Sequence, residues 1–204
     1  MKYTPTALAF ASAFITFGSL AGGANAAVLR TVNSFDAPGS SGSFAFGTIF
    51  TVGTSDLLIT GLGAYDFGSD GFTTEGGIKV GIYAEATNTL VASTNVLSSD
   101  PLIDSYRYST ATINLSANTQ YRLVAVSGSD NYIQGAGTWN YNSSELTVNG
   151  FSWVFTTELT PSTSGNESDY GMGNFQFSAV PEPSSAIIIG IGSLGMLARR
   201  RRTK

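Results

Sequence analysis

Thr110-Ala111-Thr112-Ile113-Asn114-Leu115 and, shortly after, Tyr121-Arg122-Leu123-Val124-Ala125-Val126 decide the fold class of this chain. In the first run Ala111, Ile113 and Leu115 alternate with polar Thr110, Thr112 and Asn114, the period of two that a strand with one buried face requires. The second run is nearly continuous in apolar residues and fits a more deeply buried strand. The same signals recur on either side. Phe44, Phe46, Phe50 and Val52 share one parity, with Ser43, Gly47 and Thr51 on the other. Ile78, Val80 and Ile82 alternate with Lys79, Gly81 and Tyr83. Phe151, Trp153 and Phe155 share a face, separated by Ser152 and Val154, and Phe175 and Phe177 flank Gln176. Residues 57–59 form another continuous apolar run. Gly, Ser, Asp and Pro clusters at residues 53–56, 98–101 and 127–130 separate these runs. No stretch between residues 27 and 180 keeps a helical period. About eight to ten short strands with turns between them predict an all-β domain, a β-sandwich or jelly roll.

The chain has 204 residues, enough for one such domain and two terminal segments. It contains no Cys and no His, which excludes disulfides, cysteine nucleophiles, Ser-His-Asp triads and the usual Cys/His zinc sites. Charge is unevenly placed. Five of the ten basic residues fall in the last six positions. Between residues 27 and 180 four bases face thirteen acids, a net charge of −9. A domain this acidic repels nucleic acid and anionic headgroups, so no nucleic-acid partner is expected.

Residues 1–26 read as a secretory signal peptide. Lys2 supplies the positive start, residues 7–20 the apolar stretch, and Ala24-Asn25-Ala26 the small-x-small pattern that places cleavage before Ala27. A retained membrane helix is the alternative, for which the apolar run is short. The C-terminus has three parts in order: Val180-Pro181-Glu182-Pro183-Ser184-Ser185, an apolar stretch over residues 186–198, and Arg199, Arg200, Arg201 and Arg202. The last two parts have the physics of a stop-transfer signal, a short transmembrane helix held by arginines that resist crossing. The two prolines disfavour helix ahead of it and mark its outer boundary. The resulting organisation is residues 1–26 signal peptide, 27–179 β core and 180–204 tail, with the core outside and the arginines inside.

Pro181-Glu182-Pro183, the apolar segment after it and the terminal arginines closely resemble the PEP-CTERM sorting signal of Gram-negative bacteria. The resemblance implies a transient inner-membrane anchor. It also implies recognition of Pro181, Glu182 and Pro183 by an integral-membrane exosortase that removes the tail, and release to the cell surface or the exopolysaccharide matrix. A simple tail anchor that is never cut is the plain alternative. Residues 50–126 are also similar to the β-sandwich domain found ahead of such tails, through Gly61-Leu62-Gly63-Ala64-Tyr65-Asp66, Val80-Gly81-Ile82-Tyr83 and Tyr121-Arg122-Leu123. That likeness brings no activity with it.

Two segments of the core are candidate sites. Asp66, Asp70 and Glu75, with glycines between them, offer the hard oxygen ligands Ca²⁺ takes, although the spacing is not that of an EF-hand; solvated turn carboxylates are the alternative. No other cofactor is expected. Tyr132, Trp139 and Tyr141, beside Asn and Asp, are the flat rings and amides that sugar recognition uses, and exopolysaccharide is the expected ligand. The alternative is that these rings fold back under their own loop. A structural or adhesive role without catalysis is the expectation. Its rival is a secreted glycoside hydrolase with paired carboxylates, for which no one pair stands out among thirteen acids.

Overall fold

A computed structural model describes residues 26–34, 37–39, 42–134, 138–142, 144–161, 165–166 and 168–180. Residues 1–25 of the expected signal peptide, Ala24 among them, and residues 181–204 of the tail, with Pro181, Glu182, Pro183 and Arg199, Arg200, Arg201 and Arg202, lie outside the described residues. The described chain is all-β. In order, its strands are β1 (Ala27–Val28), β2 (Arg30–Ser34), β3 (Ala37–Gly39), β4 (Phe44–Val52) and β5 (Leu57–Tyr65). After a 3₁₀ turn at Phe67–Ser69 come β6 (Ile78–Ala84), β7 (Thr89–Val96), β8 (Leu102–Ile103), β9 (Tyr106–Leu115) and β10 (Gln120–Val126). The last five are β11 (Tyr132–Gln134), β12 (Thr138–Tyr141), β13 (Leu146–Phe155), β14 (Gly165–Asn166) and β15 (Gly173–Ala179). The count exceeds the eight to ten strands expected because several are two- or three-residue pieces too short to carry an alternation. Among the described residues no helix is long and apolar enough to cross a membrane.

Two antiparallel sheets dominate. One has the order β1-β15-β5-β9-β8, the other β14-β13-β4-β10-β6-β7. They share a single apolar core, a β-sandwich-like arrangement. Leu57, Ile59, Ile113, Leu115, Phe175 and Phe177 come from the first sheet, and Phe50, Val52, Ile78, Ile82, Tyr121 and Leu123 from the second. The rings of Phe50 and Phe175 meet across the layers with centroids 5.1 Å apart. β10 is apolar from Leu123 to Val126 because both its faces are buried there. Tyr121, Leu123 and Ala125 enter the main core, while Val124 and Val126 join Ala45 and Tyr83 in a smaller cluster on the outer face. Leu159 packs over that cluster, and the Tyr83 hydroxyl donates to the Leu159 carbonyl at 2.8 Å.

β13 obtains its face from a bulge. Val148 pairs with Phe50 but Gly150 pairs with Ile49, so Asn149 is an extra residue. The insertion reverses the parity that follows, and Phe151, Trp153 and Phe155 come level with Thr48, Phe46 and Phe44 on the inner face. Two ribbons, β11 with β3 and β12 with β2, lie against this part of the sheet. Tyr132 of β11 packs on Phe46 at 4.6 Å, and Tyr141 of β12 stacks on Phe151 at 6.3 Å.

Tyr106 and Tyr108 stand in the main core on β9. Burial lifts both hydroxyls above the ordinary tyrosine range, with Asp104 adding to the effect on Tyr108. The folded state therefore holds these protons after the unfolded chain has begun to lose them near pH ~10. Their stabilising contribution is complete below that pH and is lost as pH rises further, by about 1.4 kcal/mol per tyrosine per pH unit. Urea midpoints are expected to show no fall from these tyrosines up to about pH 9 and to decline steeply above about pH 10.

Candidate functional site

The ladder brings both described chain ends to one pole of the core. Ala179 pairs with Leu57, and Leu57 with Leu115; Ala27 pairs with Phe177. Val180 N donates to the Asp56 carbonyl at 2.9 Å. Two turns flank this exit. The Asp56 side chain accepts from Ala117 N at 2.8 Å, and Asn118 N donates to the Gly53 carbonyl at 2.8 Å. Asn118 has φ +54°, the left-handed conformation that Asn tolerates at such a turn. Of the expected cleavage residues, Ala26 is exposed and Ala27 opens β1 at this pole. The acidic loop and the start of β4 lie at the opposite pole, where Tyr65 pairs with Tyr106 and Phe44 with Phe155.

The rings expected to contact sugar turn inward. Tyr132 is only 2% exposed and packs among Phe44, Phe46 and Tyr170. Trp139 and Tyr141 are half-buried over Arg30, whose guanidinium lies 5.4 Å from the Trp139 ring centre and 5.7 Å from that of Tyr141. Gly171 has φ +60° and lies directly beneath the Trp139 ring, where a Cβ would come within 1.8 Å of it. The three side chains thus form no common exposed platform.

Arg30 itself is fully buried and gathers this region. Its guanidinium forms an ion pair with Asp169 and donates to Thr48 Oγ1 at 2.6 Å. The Tyr141 hydroxyl donates to Asp169 Oδ2 at 2.6 Å, and Gly171 N donates to Asp169 Oδ1 at 2.9 Å. The Asn174 amide donates to the Arg30 carbonyl at 2.9 Å. Burial works against the Arg30 charge, but Asp169 with Tyr106 and Tyr141 outweighs it and holds the group above its ordinary range. Burial, then Asp169, pushes the Tyr141 hydroxyl up as well. The cluster clamps β2, β12 and the segment before β15 together. Asp169 is its hub, taking the Arg30 guanidinium, the Tyr141 hydroxyl and the Gly171 amide together.

The carboxylates proposed for Ca²⁺ do not converge. Asp66 is buried and accepts from Arg107 Nε at 2.6 Å and from Gly71 N at 3.1 Å. Asp70 and Glu75 are exposed. Among the described residues no group of three acids stands placed to hold a metal ion. Asp130 is likewise engaged, accepting from Thr73 N at 2.6 Å and Thr74 N at 2.9 Å, which ties two loops of that pole together. An open cleft of about 400 Å³ lies beside them, lined by Thr74, Glu75, Lys79, Asn95, Ser129 and Thr157.

One aromatic surface escaped the sequence reading. Phe155 is 68% exposed and Trp153 38% exposed, and both meet Phe44 edge-on with centroids 5.2 and 5.6 Å away. The shared face of β13 was legible; that its end extends past the cover of the opposite layer was not.

The PEP-CTERM protein-sorting motif matches residues 179–202, at the C-terminus. The chain therefore carries the tail of an exported protein sorted in association with the membrane by an exosortase-type enzyme. No curated protein matches the chain.

Asp169→Ala is expected to strand the Arg30 charge in the interior and lower stability by about 3–5 kcal/mol. Arg30→Met combined with Asp169→Leu is expected to recover most of that loss, as measured by urea unfolding of the exported protein.

Proposed function

We propose that this protein is a non-catalytic surface or matrix module with a β-sandwich core. Its tail anchors it briefly in the inner membrane, and an exosortase-type enzyme recognises Pro181-Glu182-Pro183 and removes that tail. The observation that carries the reading is the match at residues 179–202, which begins on the last strand of a folded core whose first strand starts at the same pole. A core tethered there turns its opposite pole, with the cleft and the exposed rings, away from the membrane. A structural role agrees with the engagement of Asp66, Asp130 and Asp169 in hydrogen bonds that hold loops and strands together. The exopolysaccharide contact is assigned to Trp153 and Phe155, whose exposed faces are suited to stacking on sugar C–H groups.

Intact-mass measurement on protein from its source cells tests the processing. The expected species begins at Ala27 and lacks Arg199, Arg200, Arg201 and Arg202. A mature species that retains them rules processing out. Co-sedimentation with exopolysaccharide of the same cells tests the contact. Replacing both Trp153 and Phe155 by Ser is expected to weaken retention about tenfold, on the basis of roughly 1.4 kcal/mol for lost ring stacking. Retention unchanged by the double substitution would remove the assignment, and no retention of the unaltered protein would remove the ligand.

A further inference from the structure

The sorting motif starts inside the fold. Its match opens at residue 179, and Ala179 is the last residue of β15, paired with Leu57. Val180 N still donates to the Asp56 carbonyl, and Pro181 is the next residue. No spacer separates the core from the residues to be recognised. An extended chain advances at most about 3.6 Å per residue, so Pro183 lies within roughly 11 Å of Val180 whatever path it takes. Peeling β15 can lengthen that reach by only the few residues beyond Phe177, which pair with β5 alone. At Gln176 and Phe177 the strand is held between β1 and β5, and Phe175 and Phe177 anchor it in the core.

A specific, stable contact between two proteins covers on the order of 800 Å² of each partner, a compact patch about 30 Å across. Such a footprint centred on Pro181-Glu182-Pro183 reaches well past the point where the chain leaves the core. The surface it meets is made of the turns at residues 53–56 and 116–119, which are bonded to each other and to the exit. Thr54 and Ser116 are exposed there. We infer that the processing enzyme docks on the folded core at this pole, and that these two turns form part of its binding surface beside the motif. The inference rests on the reading that an exosortase-type enzyme processes this chain.

The test is a pulse–chase of the full chain in its source cells, following the mass shift on tail removal. Thr54→Trp combined with Ser116→Trp puts bulk on both turns and leaves the motif unaltered. This variant is expected to be processed at least about tenfold more slowly, the effect of losing some 1.4 kcal/mol at the interface. The same variant with a ten-residue Gly-Ser spacer between Val180 and Pro181 is expected to regain most of the rate, because the spacer carries the bulk away from the enzyme. Processing of the Trp variant at the unaltered rate overturns the inference. So does slow processing that the spacer fails to restore, which marks a folding or export defect. If the unaltered chain keeps residues 181–204 in these cells, the processing reading itself fails, and the inference falls with it.

Discussion

Strand β15 is the constraint on which the rest of the structure depends. It is paired on both edges, sends Phe175 and Phe177 into the shared core, and is the last strand before the sorting motif. Leu29 N donates to the Phe175 carbonyl at 3.0 Å, so the first strand of the core is bound to the last. Because backbone groups buried in a sheet have no other partners, neither edge can be released without leaving donors and acceptors unsatisfied. The position of both described ends of the core at one pole follows from this ladder.

Charge is arranged around the same need for closure. The four bases of the core are all paired: Arg30 with Asp169, Arg107 with Asp66, Arg122 with Glu85 and Lys79 with Glu158. Three of these pairs are largely buried and tie together segments distant in the chain, and the exposed Lys79–Glu158 pair contributes little to stability. The remaining acids give the core its negative charge. Rings and carboxylates that would serve as ligand groups in an open loop are here used in packing. Trp139 and Tyr141 cover a buried cation, and Asp66 and Asp130 hold turns.

The strand runs were legible because one-face burial imposes a period of two, and β9 shows it most plainly, with Ile113 and Leu115 buried between exposed Thr112 and Asn114. The continuous run of β10 was legible as a deeply buried strand for the complementary reason, since both of its faces are covered. The clamp at Arg30 was not. Its partner Asp169 stands 139 positions away, and a lone Arg at the start of a strand carries no mark of burial. The inward turn of Tyr132, Trp139 and Tyr141 was one of two readings open to the sequence, because rings beside amides suit a sugar and a folded-back loop equally well. The bulge at Asn149 left no signal either, yet it sets which side of β13 faces the core.

The sequence by itself determined the class of the core and the meaning of its C-terminal end. Alternation is a local consequence of strand geometry, and the sorting motif is a short contiguous pattern, so both survive in a linear reading. Which carboxylates pair, which rings are covered, and where the two ends emerge were decided only by the tertiary structure. Each depends on residues far apart in the chain that come into contact when two sheets close on one core. Burial and pairing belong to that closure, and no local pattern encodes them.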